Sequence, residues 1–152
     1  MRPRILIYED NDFLRSTLKF VLTGQGYEVF AFSEPERCQA FDSVDLTCPA
    51  DVACADAIIS DVNMPTKSGL DLIKERRQKG CKIKYCALMS ADWTDSDLKS
   101  AHELGCYIFH KPFDLKEMLD WLADCRDELN RESIQVGSRN AEVGKIGQIS
   151  NC

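Results

Sequence analysis

The chain has 152 residues, enough for one domain with a real core and too few for two comfortable ones. With 44% hydrophobic and 29% charged residues it has the make-up of an ordinary globular protein, and no apolar run approaches the ~20 residues that would span a membrane. The formal net charge of −6 argues against direct DNA binding, because phosphate contacts need a cationic surface.

The opening MRPRILIYED has a short apolar run that stops at two acids, so it does not read as a signal peptide, and a cytoplasmic location is expected. Within it, residues 4–8 are the first expected strand, ending in Glu9-Asp10-Asn11-Asp12. Residues 13–25 then place Phe13, Leu14, Leu18, Val21 and Leu22 at helical spacing, with Asn11 or Asp12 as the cap. Gly26 ends that helix before a second strand over 27–33. Ser33 as a cap and Pro35 in the first turn predict a helix to about Phe41. The connection 42–56 that follows has weak periodicity and is long for its place.

Residues 57–60 form the third expected strand, followed by a helix over 68–80 that Gly80 stops. A strand over 82–90, a helix over 94–105 capped by Thr94, and a strand over 106–110 come next. Asp114 caps a last helix over 115–129. The domain is therefore expected to occupy 1–130, with 131–152, scattered with Gly, Ser and Asn, as a disordered tail. Strands alternating with helices predict an α/β fold, a parallel sheet covered on both faces.

In such a sheet, ligands bind outside the carboxyl ends of the strands. Those ends supply Glu9 and Asp10, then Asp61, then Ser90 and Ala91, then Lys111. Three carboxylates together repel, and a hard divalent cation such as Mg²⁺ offsets them, with the Lys111 ammonium adding positive charge. That set suits phosphoryl uptake: Asp61 attacks phosphorus while Mg²⁺, Lys111 and Ser90 hold the equatorial oxygens. Taken singly, each residue has a plainer role, as helix-terminus acids, a loop cap, a strand-end hydroxyl and a surface lysine. His102 and His110 read as surface residues.

Glu9-Asp10, Asp61 with Val62-Asn63-Met64-Pro65 and Gly69, Ser90-Ala91, and Lys111-Pro112-Phe113 occur in that order. Together they resemble the receiver domain of bacterial two-component response regulators, over roughly residues 3–130. The resemblance implies a flavodoxin-like, doubly wound five-stranded parallel sheet of order 2-1-3-4-5. It implies Asp61 as the phosphoacceptor, Ser90 as a switch hydroxyl and Lys111 paired with the phosphoryl group. Mg²⁺ would be held by Glu9, Asp10, Asp61 and the backbone carbonyl of Asn63.

Its implied partners are a histidine kinase or histidine phosphotransfer protein as donor and a downstream protein effector. A homodimer through the helices at 94–105 and 115–129 is a further implication. The expectation is a signalling module, standing alone like a chemotaxis regulator or excised from a longer one, and not a metabolic enzyme. A phosphatase of the haloacid-dehalogenase type would need a second Asp two residues after Asp61, where this chain has Asn63.

Two features depart from the family pattern. Ile108 stands where receivers usually carry an aromatic residue, between Tyr107 and Phe109. Eight cysteines are many for a cytosolic chain, and Cys54, Cys81 and Cys106 stand at or just before the starts of the third, fourth and fifth strands. With Cys48 on the long connection, they would meet at the sheet edge opposite the acidic rim, as a Zn²⁺ or disulfide site or as packed thiols. A receiver-like interaction module that does not respond to phosphate, with a metal or redox role at those thiols, is the rival reading.

Overall fold

The computed structural model describes residues 2–35 and 53–143. In chain order these form β1 (Arg4–Tyr8), α1 (Asp12–Gly24), β2 (Glu28–Phe32), β3 (Ala57–Asp61), α2 (Gly69–Gln78), β4 (Tyr85–Ser90), α3 (Asp95–Glu103), β5 (Tyr107–His110) and α4 (Leu115–Val143). The strands are parallel and ordered β2-β1-β3-β4-β5, the doubly wound arrangement expected. The helix expected near 33–41 and most of the connection after it lie outside the described residues, as does Cys48. No helix among the described residues is long and apolar enough to cross a membrane.

Local chemistry sets the helix starts. The Asn11 side chain accepts the Leu14 N–H at 2.8 Å, Ser68 the Asp71 N–H at 3.1 Å, and Thr94 the Asp97 N–H at 3.0 Å. Asp114 accepts the Lys116 N–H at 3.0 Å. Each cap is worth about 1 kcal/mol against alanine.

The chain divides into two compact units, one running to Pro112 and one beginning at Phe113. In the first, β3 is buried at every position, as a central strand covered on both faces must be. Alternation sends Tyr8, Ile58, Cys86 and Leu88 into a cluster with Leu72 and Ile73 of α2 and Ala101 of α3. Ile5, Ile7, Ile59 and Met89 fall on the other face, and α1 buries Leu18 and Leu22. Each such side chain stabilises the fold by roughly 1.5–3 kcal/mol. In the second unit, Met118, Leu122 and Cys125 of α4 are buried, a stripe at helical spacing.

Two boundaries differ from the sequence reading. β4 starts at Tyr85 and not at 82, because the Cys81 N–H bonds the Arg76 carbonyl at 3.0 Å and stays with the end of α2. α4 runs to Val143, so 131–143, expected in a disordered tail, are helical. That stretch lacks an apolar stripe, which is why periodicity missed it, but its Arg, Glu, Gln and Ala are good helix formers and propagate a helix already nucleated.

Candidate functional site

Strand register builds the site. Tyr8 pairs with Ser60 and Met89 with Asp61, so Glu9, one residue beyond Tyr8, comes level with Asp61 at the carboxyl rim. Hydrogen bonds continue the ladders past the strands: Glu9 N–H to Phe32 O at 3.0 Å, Val62 N–H to Met89 O at 2.9 Å, and Lys111 N–H to Ser90 O at 2.8 Å. Backbone pairing thus fixes the positions of Glu9, Asp61, Ser90 and Lys111.

Side-chain oxygens of Glu9, Asp10 and Asp61 all lie within 4.8 Å of one another. Lys111 Nζ sits 2.9 Å from Glu9 Oε2 and 3.2 Å from Asp61 Oδ1. Burial pushes the Asp61 carboxyl above its ordinary value; Lys111 opposes the rise and Asp10 adds to it. Glu9 is also raised by burial, against the pull of Lys111 and of the Asn11 N–H. For Lys111, burial disfavours the ammonium, but Glu9 and Asp61 outweigh it and hold its pKa up. Three ionised carboxylates against one ammonium leave two negative charges, a donor set that fits a hard divalent cation such as Mg²⁺.

Ser90 is fully buried, and its Oγ accepts the Asp92 N–H at 3.1 Å and the Asn63 Nδ2–H at 3.3 Å. The structure thus brings together Glu9, Asp10, Asp61, Asn63, Ser90 and Lys111. Of the outcomes expected for the cysteines, the described ones take the packed-thiol form: Cys106 lies in the apolar cluster and Cys54 and Cys81 pack against it. Among the described residues no three thiol sulfurs come within 4.8 Å of one another, so Cys54, Cys81 and Cys106 make no Zn²⁺ cage. Cys81 stays with the end of α2, its N–H on the Arg76 carbonyl, outside β4. Ile108 is half-buried, Tyr107 is 40% exposed, and Phe109 is fully buried with its carbonyl accepting the Trp93 Nε1–H at 3.0 Å.

Sequence reasoning missed two supports. Arg15 donates to the Glu9 carbonyl at 3.0 Å and pairs with Asp12 at 2.6 Å, clamping the acidic turn. Its signal was its position, one turn after Asp12 on α1. Gly69 is the second, and it has no positive φ, so a left-handed turn is not its role. A Cβ there would lie 2.8 Å from Ser60 Oγ and closer still to the Asp61 carbonyl oxygen. The glycine is there for close approach.

Residues 5–123 match the family model described as the response regulator receiver domain. A probable transcriptional regulatory protein of Picosynechococcus is 32% identical over 98% of this chain and 58% of its own length. The aerobic respiration control protein of Escherichia coli K12 is 32% identical over 76% of this chain and 45% of its own length. The chain therefore spans about half the length of these curated relatives. Among solved structures, the non-phosphorylated receiver domain of HemR from Leptospira biflexa superposes with a TM-score of 0.64 at 27% identity, covering 82% of this chain and 94% of that one.

Proposed function

The chain belongs to the response regulator receiver family, and we propose that it is a phospho-switch whose acceptor is Asp61. Membership brings phosphorylation-dependent signalling and an acidic Mg²⁺ pocket. The observation that carries the residue assignment is the convergence of a buried Asp61 with Glu9, Asp10 and Lys111 at one rim.

An Asp61 carboxylate oxygen attacks phosphorus in line as the bond from phosphorus to the donor's leaving group breaks, a histidine nitrogen in a kinase or phosphotransfer protein. Glu9, Asp10, Asp61 and the Asn63 carbonyl would hold Mg²⁺, which would supply charge neutralisation at the phosphoryl oxygens. Lys111, already 3.2 Å from Asp61, takes one of those oxygens. Ser90 exchanges its Asn63 contact for the phosphoryl group, which moves the β4 end and alters a face read by a protein effector. No turnover of external substrates is assigned; the chemistry is self-phosphorylation and its hydrolysis in the cytoplasm.

The test is intact mass after incubation with acetyl phosphate and Mg²⁺. One added phosphoryl group, absent in Asp61→Asn and in EDTA, is the expected result. An unchanged mass for protein shown to bind Mg²⁺ would overturn the assignment.

A further inference from the structure

At the opposite edge of the sheet lies a second set of reactive groups that phosphoryl transfer does not use. Ala87 of β4 pairs with Tyr107 of β5, so one residue earlier Cys86 stands against Cys106. Both thiols are buried in the same apolar cluster. Arg77, exposed at the end of α2, places Nη2 3.5 Å from Cys86 Sγ and 3.4 Å from the Lys84 carbonyl.

We propose that Cys86 and Cys106 are a redox-active thiol pair that a hydroperoxide oxidises to a disulfide joining β4 to the entry of β5. Register-opposed residues on parallel strands stand roughly 4.8 Å apart, inside the ~4.4–6.8 Å that disulfides span between Cα atoms. The guanidinium and the Cys106 S–H both favour the thiolate on Cys86, the form that attacks peroxide, and burial opposes them. Cys106, beside that sulfur, is held as the thiol. Arg77 Nη2, 3.5 Å from Cys86 Sγ, marks Cys86 as the nucleophile and Cys106 as its resolving partner. The cation next to Cys86 also makes a metal ion a poor occupant.

The steps balance. Cys86 thiolate attacks one peroxide oxygen, the O–O bond breaks, and hydroxide leaves and takes up a proton, giving a sulfenic acid on Cys86. Cys106 then loses its proton as its sulfur attacks the Cys86 sulfur; the S–O bond breaks and water departs. Two thiols lose two protons and two electrons, and hydrogen peroxide takes up both to become two waters.

The test is tryptic mapping of the full chain, without reductant, after one equivalent of hydrogen peroxide, with the time course followed in wild type, Arg77→Gln and Arg77→Lys. The expected product is a Cys86–Cys106 linked peptide, two hydrogens lighter and cleaved by dithiothreitol. Arg77→Gln should slow its formation by roughly threefold, because about half of any gain in thiolate fraction is returned as lost nucleophilicity. Arg77→Lys should retain the wild-type rate. Arg77 is exposed, so neither variant tests folding. Linkage through other cysteines, no linkage, or equal rates in Arg77→Gln and wild type would overturn the proposal.

Discussion

Lys111 lies closer to Glu9 than to Asp61, 2.9 Å against 3.2 Å, so its ammonium is tethered by a fully buried acid as well as by Asp61. This fixes the cation where phosphoryl charge would develop, at no reorganisation cost during the reaction. Lys111→Met should slow phosphorylation by acetyl phosphate about 10²–10³-fold, the usual loss on removing a preorganised electrostatic partner. Time-resolved intact mass measures it. A loss below tenfold would show that Mg²⁺ neutralises the phosphoryl group with little help from Lys111.

Acid stability carries a second signature of the pocket. Burial raises Asp61 above its ordinary 3.8, so its carboxyl binds a proton more tightly folded than unfolded. The associated stability is complete below the unfolded pKa and is lost as pH rises through the folded one. Lys111 stays charged across that window, its own pKa being held above 10.5 by Glu9 and Asp61. In EDTA, Asp61→Asn should therefore melt with the wild type near pH 3.8 and progressively above it as pH climbs to 7. Thermal melts of both proteins across pH decide it. An Asn variant that melts lower at pH 7 would mean that the Lys111 pairing outweighs desolvation.

Much of this was legible in the sequence, for identifiable reasons. β1, β3 and β5 are apolar runs that end on Glu9, Asp61 and Lys111, and an apolar run followed by a charged residue marks the end of a buried strand wherever it occurs. The caps at Asn11, Thr94 and Asp114 are single polar residues acting on their own backbone, a local effect. The Cys86–Cys106 pairing is set by the β4–β5 register, which no spacing within the sequence encodes. Arg15 and Gly69 act through contacts made only once α1 and α2 are placed, and no periodicity encodes those.

Mg²⁺ affinity should depend on Asp10 more than its exposed position suggests. Asp10 supplies one of the three oxygens within 4.8 Å, while Asp12, two residues on, is paired with Arg15. Asp10→Asn should weaken Mg²⁺ by about tenfold or more, ~1.4 kcal/mol per decade, and Asp12→Asn should leave it near wild type. Saturating Mg²⁺ should raise the wild-type melting temperature, since a ligand at 100 times its Kd contributes about 2.7 kcal/mol. Calorimetric titration of the three proteins is the check. Equal affinities for Asp10→Asn and wild type would remove Asp10 from the ligand set.

Gly69 sets helix propensity against steric fit, and the sign of one substitution separates them. It opens α2 after the Ser68 cap, and its N–H bonds the Val62 carbonyl at 2.9 Å, closing the loop that leaves Asp61. Propensity alone makes Gly→Ala in a helix stabilising by roughly 0.5–1 kcal/mol. Here the added Cβ meets the Asp61 carbonyl and, at 2.8 Å, Ser60 Oγ, on a strand with no exposed position. The backbone must shift, and overpacking of this kind costs about 1–3 kcal/mol. Gly24→Ala, where a Cβ meets nothing within 4 Å, is the matched control. In urea, Gly69→Ala should lower the midpoint and Gly24→Ala should not. Because the displaced atoms belong to Asp61, Gly69→Ala should also slow phosphorylation under conditions where it remains folded. A Gly69→Ala protein as stable and as fast as wild type would show that α2 can move away from β3 without disturbing it.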